Sequence, residues 1–200
     1  MRLSSEEGTL REANRIVYFA TSNKGKYAEA TMLTANFGVT LKHLNVEKLE
    51  IQANRLTDVA SFAASHLART RHRGVVSEDA GFFVDALNGF PGPYSAYVFR
   101  QIGTAGVLKL MQGITNRAAR FEAAVAYCIP GKRAKCFTGI VRGKVNQRPR
   151  GKHGFGFDPI FTPHVSDGRT FAEMTIEEKN YFSHRAQAFA KFCKWFNSAQ

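Results

Sequence analysis

IVYFATSNKGKYAEA, residues 16–30, is the stretch whose reading decides the fold. Apolar residues run to Ala20 and end in the polar Thr21-Ser22-Asn23-Lys24-Gly25-Lys26. From Lys24 the apolar spacing becomes helical, with Tyr27, Ala30, Leu33, Thr34 and Phe37 on one face and Gly38 as the stop. A strand that enters a helix through a short basic turn points free backbone N–H groups outward, and the helix dipole adds partial positive charge. Such a turn suits an anion. It is not a Walker loop, because the G-x-x-x-x-G-K-[ST] spacing is missing.

Working outward, Val39–Asn45 alternates apolar and polar residues like a half-buried strand. A helix follows through Ala68, with Thr57 as its expected N-cap and Val59, Phe62, Ala63 and Leu67 as its stripe. Val75-Val76-Ser77 reads as a short strand entering acidic residues, with Phe82–Leu87 extended beyond it. Asn88–Pro93 is a turn cluster. Gly103–Gln112 reads as a short helix. Phe121–Ile129 and Lys135–Val145 form an antiparallel hairpin across Pro130-Gly131. Gly151–Phe157 is irregular. Ser183 caps a last helix buried along Ala186, Phe189, Ala190, Cys193 and Phe196. A strand–helix start, a β-rich middle and a helical end make a mixed α/β fold rather than a strict doubly wound sheet.

Two hundred residues suit one large domain or two fused lobes. There is no run of 18 apolar residues for a membrane span. Residues 1–15 carry acids and lack an apolar core, so they read as an extension and not a signal peptide. The three cysteines, Cys128, Cys136 and Cys193, have no C-x-x-C spacing and read as reduced thiols of a cytoplasmic protein. The histidines show no zinc spacing. The net charge of +12 calls for a polyanionic substrate or partner. Between Ala123 and Phe157 there is no acidic residue, while Lys132, Arg133, Lys135, Arg142, Lys144, Arg148, Arg150 and Lys152 all fall there. This fits a nucleic-acid surface or a solvated face beside a phosphate cleft equally well.

Four segments carry chemistry. In the turn, Thr21 and Asn23 supply hydrogen bonds and Lys26 a charge. Glu78 and Asp79 end the 75–77 strand; neighbouring strand residues face opposite sides, so both enter one site only if the chain bends, which Gly81 permits. A carboxylate at a strand end suits Mg²⁺ or an attacking water, and Glu50 is a second candidate. In GKHGFGFDPIF, residues 151–161, glycines flank Phe155 and Phe157; one of these rings suits stacking on a base and the other the core, while Asp158 suits ring N–H groups. In EEKNYFSHRAQA, residues 177–188, His184 and Arg185 open a helix where cations gain little from the dipole, so they and Lys179 serve better as ligands.

T-x-N-x-x-K (21–26), E-D-x-G-x-x-x-x-A-L-x-G-x-P-G (78–92), G-[FY]-G-[FW]-D (154–158) and S-H-R (183–185) together resemble the inosine/xanthosine triphosphate pyrophosphatases, the Ham1/RdgB family, in its archaeal branch. The resemblance runs in order from Ile16 to Phe196. It implies a long central mixed sheet between two α/β lobes, one two-lobed domain over 16–200, and a site in the cleft. It implies Mg²⁺-dependent cleavage of ITP, dITP and XTP to monophosphate and pyrophosphate by a homodimer that cleanses the nucleotide pool. By position, Thr21, Asn23 and Lys26 would hold the triphosphate; Glu50 and Asp79 the metal, with Asp79 also acting on the water. Phe155 would stack on the base, and Asp158, Lys179, His184 and Arg185 would read its edge. The chain departs from the pattern at Ala80, usually Ser or Thr; near Phe62-Ala63, where a lysine is common; and at Ala96, often basic. The alternative is a non-enzymatic protein that binds nucleotides or nucleic acid, although no RNA- or zinc-binding signature is present.

Overall fold

The computed structural model describes residues 15–49 and 51–199. The expected extension over 1–15, apart from Arg15, lies outside the described residues, and so does Glu50. Strand β1 (Ile16–Ala20) runs parallel to β2 (Thr40–Leu44) on one side and to β3 (Val75–Val84) on the other. Helix α1 (Lys24–Ala35) joins β1 to β2 and is capped by Asn23, whose Oδ1 accepts from the Lys26 amide at 3.0 Å. Gly38 turns the chain at φ +67°, as its place after the apolar stripe predicts.

Helix α2 (Leu56–Arg71) starts earlier than expected. Arg55, not Thr57, is its N-cap residue; its guanidinium clasps Asp58 at 2.9 Å through both Nε and Nη2, and buried Leu56 anchors the first turn. The larger correction concerns β3. It runs unbroken through Glu78-Asp79, because it is central and pairs with β5 (Ala118–Cys128) along its whole length. The two carboxylates therefore face opposite sides without a bend. Gly81 serves another need: a Cβ there would stand 2.6 Å from the Gly92 carbonyl oxygen of β4 (Pro91–Gly92).

Helix α3 (Ser95–Leu110) takes in most of the expected 103–112 helix, ending two residues earlier, and also a preceding segment that the sequence left unassigned. Gly103 breaks it with φ 57° and ψ −164°. The first half is set by Ser95, whose Oγ accepts from the Phe82 amide and donates to the Gly92 carbonyl, each at 2.7 Å. β5 and β6 (Lys135–Val145) form the expected hairpin, followed by β7 (Phe161–Pro163), α4 (Ile176–Asn180) and α5 (His184–Ser198). The last helix has the expected cap, Ser183 Oγ to the Ala186 amide at 3.1 Å.

Among the described residues the result is a mixed α/β fold with five α-helices and a seven-stranded sheet in the order β2-β1-β3-β5-β6-β7, with β4 pairing β3. One core lies between the sheet and α1 and α5, built on Phe19, Val76, Val125, Phe189 and Phe192. A second, of small residues such as Ala60, Ala64, Ala124 and Ala126, lets α2 sit close against the opposite face. A third, rich in phenylalanine, fills the far end around Phe82, Phe121, Phe161 and Phe171. Two features position the site. Gly139 of β6 admits the backbone of α5, since a Cβ there would collide with the His184 carbonyl oxygen. β1 leaves β3 at Ser77, and β4 joins it only at Phe82, so on the side away from β5 no strand among the described residues flanks β3 from Glu78 to Gly81.

Candidate active site

A cleft of about 520 Å³ opens at that gap. Thr21, Asn23, Lys26, Asp79, Phe155, Asp158, Lys179, His184 and Arg185 all line it, so every described candidate residue comes together there. Glu47, Lys48, Phe99, Arg100 and Phe121 line it too, and the sequence had not singled these out. Ligand clefts commonly form beyond the carboxyl ends of parallel strands, and the turn after β1 stands at such an end.

The turn is braced from beneath. Thr21 is buried; its Oγ1 accepts from the Asn23 amide at 3.1 Å, and its carbonyl oxygen lies 2.8 Å from His43 Nε2. His43 stacks on Tyr27 at 4.3 Å, and the Tyr27 hydroxyl donates to the Leu41 carbonyl, tying β2 to the turn. Gly25 leaves room for the Phe155 ring, which a Cβ would approach to 2.7 Å.

Behind the turn lies a buried ion network. Arg185 donates from Nη1 to Glu29, and from Nε and Nη2 to Glu78 Oε1 at 3.2 and 3.0 Å. Lys26 Nζ stands 2.8 Å from the other Glu78 oxygen. Lys179 Nζ donates to Glu29 at 2.9 Å and to Asp158 at 2.6 Å. Glu29 escaped the sequence reading, and Glu78 was weighed and not chosen. The available signal was the helical spacing of Glu29 from Lys26, which places an acid on the buried side of α1 beside Ala30 and Leu33.

The charges settle accordingly. Burial works to raise the Glu78 carboxyl, but Arg185 and Lys26 outweigh it and hold it down to about 2. Glu29 is lowered in the same way, with Arg185 and Lys179 overcoming burial. At Asp158 burial prevails over Lys179, and the carboxyl is raised. His184 is pushed well below the usual histidine range by burial and then by Arg185, Lys179 and Lys26, so it is neutral at pH 7. Its ring stacks on Phe121 at 4.9 Å, and its Nδ1 is buried without a hydrogen-bond partner among the described residues.

The two loop phenylalanines divide as expected. Phe157 is 2% exposed and packs on Phe82 and Phe99, whereas Phe155 is half-buried on the cleft. Lys179 Nζ and the Arg185 guanidinium carbon lie 5.0 and 5.5 Å from the Phe155 ring centre. Asp158 is more committed than its motif suggested: Oδ2 already accepts from Lys179 and from the Phe155 amide, at 2.9 Å, so it fixes the loop.

Residues 17–195 match the model of the Ham1 family. The chain belongs to the Ham1 family. It is 46% identical over 182 residues to a dITP/XTP pyrophosphatase of Methanopyrus kandleri, covering 91% of this chain and 96% of that one. It is 49% identical over 177 residues to a dITP/XTP pyrophosphatase of Thermococcus kodakarensis, covering 88% and 95%. Among solved structures, a HAM1 protein from Coxiella burnetii superposes with a TM-score of 0.80 at 27% identity, covering 92% and 98%.

Within this Ham1 fold the departures from the family pattern separate. Ala80 and Ala96 both line the cleft, so an apolar methyl stands at each of these positions. Ala63 is buried at 1% exposure and is not part of the cleft lining.

Proposed function

We propose that this Ham1-family chain hydrolyses ITP, dITP and XTP to the nucleoside monophosphate and pyrophosphate, cleansing the nucleotide pool. The observation that carries the reading is the convergence of four distant segments on one cleft. They bring a phosphate-suited turn, a carboxylate on an open strand edge, a half-buried aromatic ring and a set of ordered cations. The activity for which the archaeal relatives are named, dITP/XTP pyrophosphatase, agrees with it.

Thr21, Asn23, Lys26 and the amides of the turn hold the triphosphate. Asn23 Oδ1 is occupied by its cap, so its amide nitrogen is the part that meets phosphate oxygen. Asp79 orients a water and accepts its proton as the water adds across the α–β phosphoanhydride, and pyrophosphate leaves beside Lys26. Asp79 and Glu47, two of the three carboxylates that line the cleft, are hard oxygen donors. Mg²⁺ is an ion held by one or two carboxylates, several waters and the substrate's own phosphates. Asp79, with Glu50, would hold it, and when bound it would neutralise phosphate charge.

Phe155 stacks on the base. Arg185 spends three of its five N–H groups on Glu29 and Glu78, leaving two to donate to a 6-oxo group. Lys179 and His184 complete the edge, and Asp158 keeps Phe155 and Lys179 in place. Adenine, with a 6-amino donor in place of the oxygen, leaves buried donors unpaired, a mismatch worth orders of magnitude.

A homodimer in the cytoplasm belongs to the same reading. Phe90, Tyr94, Tyr97 and Ile102 are exposed apolar side chains around the start of α3 and offer a subunit contact. The three cysteines are free, which suits a reducing compartment, and no helix among the described residues is long and apolar enough to cross a membrane.

The test is pyrophosphate release from ITP, XTP, dITP, ATP and GTP, with and without Mg²⁺. The expected result is metal-dependent release from ITP or XTP far above the ATP rate. Salt-sensitive binding of DNA or RNA with no release from any triphosphate would replace the reading with the binding alternative.

A further inference from the structure

We propose that Arg100 is the residue that receives the phosphate tail beyond the first phosphate. The inference rests on the reading of the cleft as a triphosphate site, and it starts from the charge balance there.

The buried cations that sequence motifs point to are already matched. Lys26 faces Glu78, Lys179 faces Glu29 and Asp158, and Arg185 faces Glu29 and Glu78. Three cations against three carboxylates give a network without net charge. Lys48 gives its ammonium to the Glu78 carbonyl at 3.0 Å. Asp79 and Glu47 add negative charge to the cleft wall. A substrate with about four negative charges therefore enters a cleft whose inner cations are largely neutralised. Arg100 differs: it lines the cleft, its residue is exposed, and it has no carboxylate partner among the described residues.

The backbone presents it there. Arg100 lies one helical turn after Ala96, and both line the cleft, so this face of α3 is the cleft wall. The segment is pinned at its start by the two 2.7 Å bonds of Ser95 and ends at the Gly103 break. Phe99, next to Arg100, packs edge-on against Phe157 at 5.4 Å and fixes the height of the helix over the loop. A guanidinium on a long stem, held by a fixed backbone and without a carboxylate partner among the described residues, suits bidentate capture of phosphate oxygens. With a methyl at position 96, the cation reaches the cleft from one turn further along.

The experiment is calorimetric binding of inorganic tripolyphosphate and of IMP to the full chain, alongside ITP turnover, for the wild type, Arg100→Ala and Arg100→Lys. Losing a charge-assisted contact weakens binding about ten- to a hundredfold. The expected result for Arg100→Ala is that loss for tripolyphosphate and a matching rise in KM for ITP, with IMP affinity within about twofold of wild type and an unchanged melting temperature. Arg100→Lys should recover most of the affinity. Equal weakening of IMP and tripolyphosphate would assign Arg100 to the nucleoside and overturn the proposal, as would unchanged tripolyphosphate binding. A wild type that binds both compounds but turns over no purine triphosphate would overturn the hydrolase reading while leaving the Arg100 result decisive. A wild type that binds neither overturns both.

Discussion

Arg185 and Glu78 are 107 residues apart in the chain and meet in a fully buried ion pair, with Nε and Nη2 of the one at 3.2 and 3.0 Å from Oε1 of the other. The pair joins the first turn of α5 to the middle of the central strand. Replacing Glu78 by Gln leaves Arg185 and Lys26 short of a counter-charge inside the protein. Breaking a buried pair in this way costs about 3–5 kcal/mol. Denaturant unfolding should show a loss of that size; a loss below about 1 kcal/mol would mean that the network does not hold the fold.

Acid should weaken the protein in two stages. His184 is lowered well below its ordinary 6.5, so the unfolded chain takes up its proton first and stability falls as pH drops below about 6.5. Glu78, held near 2 against an ordinary 4.5, and Glu29, also lowered, contribute stability that is full above about pH 4.5 and is lost as pH falls toward about 2. Asp158, raised by burial, opposes the second stage in part. Melting temperatures between pH 8 and 3 check this, and His184→Asn should flatten the upper stage. A wild-type melting temperature constant from pH 7 to 5 would contradict it.

Asp79 borders the open edge of β3 and is 9% exposed. Asp79→Asn should lower pyrophosphate release by at least about a hundredfold, the scale of a lost general base. Its melting temperature should stay within a few degrees of wild type. Chelation of Mg²⁺ should abolish release from the unaltered enzyme, and added Mg²⁺ should restore it. Full activity of the asparagine variant would remove Asp79 from the chemistry.

Phe155 and Phe157 should separate by assay. Phe157→Ala empties a packed position and should cost about 3–5 kcal/mol of stability. Phe155→Ala, on the cleft wall, should raise KM for ITP with a much smaller effect on unfolding. Matching losses in both assays for the two variants would mean that neither ring is reserved for the base.

Gly139→Ala tests the contact between sheet and helix. Its Cβ would overlap the His184 carbonyl, so the first turn of α5 must move and carry His184 and Arg185 with it. Overpacking of this kind costs about 1–3 kcal/mol. Turnover should fall by more than that loss of stability would predict, because the displaced residues line the cleft. Unchanged kinetics would show that the helix accommodates the methyl.

The sequence by itself determined the local elements whose signals lie within a few residues. The strand–turn–helix at 16–35, the hairpin of β5 and β6, the Ser183 cap and the order of the four motifs were all legible, because apolar period, turn residues and caps act locally. It also named nine described residues that share one cleft. Tertiary structure alone decided the rest. β3 runs straight through Glu78 and Gly81 because β5 pairs with it throughout, which no local propensity near Gly81 reveals. Helix α3 begins at Ser95 because Ser95 bonds across to β3 and β4. Glu29 is a partner of Lys179 and Arg185 only because residues some 150 positions apart in sequence are folded together, and a buried carboxylate is stable only where such cations meet it. Arg100 stands out only when the other cations are seen to be paired, since charge balance within a cleft is a property of the assembled fold.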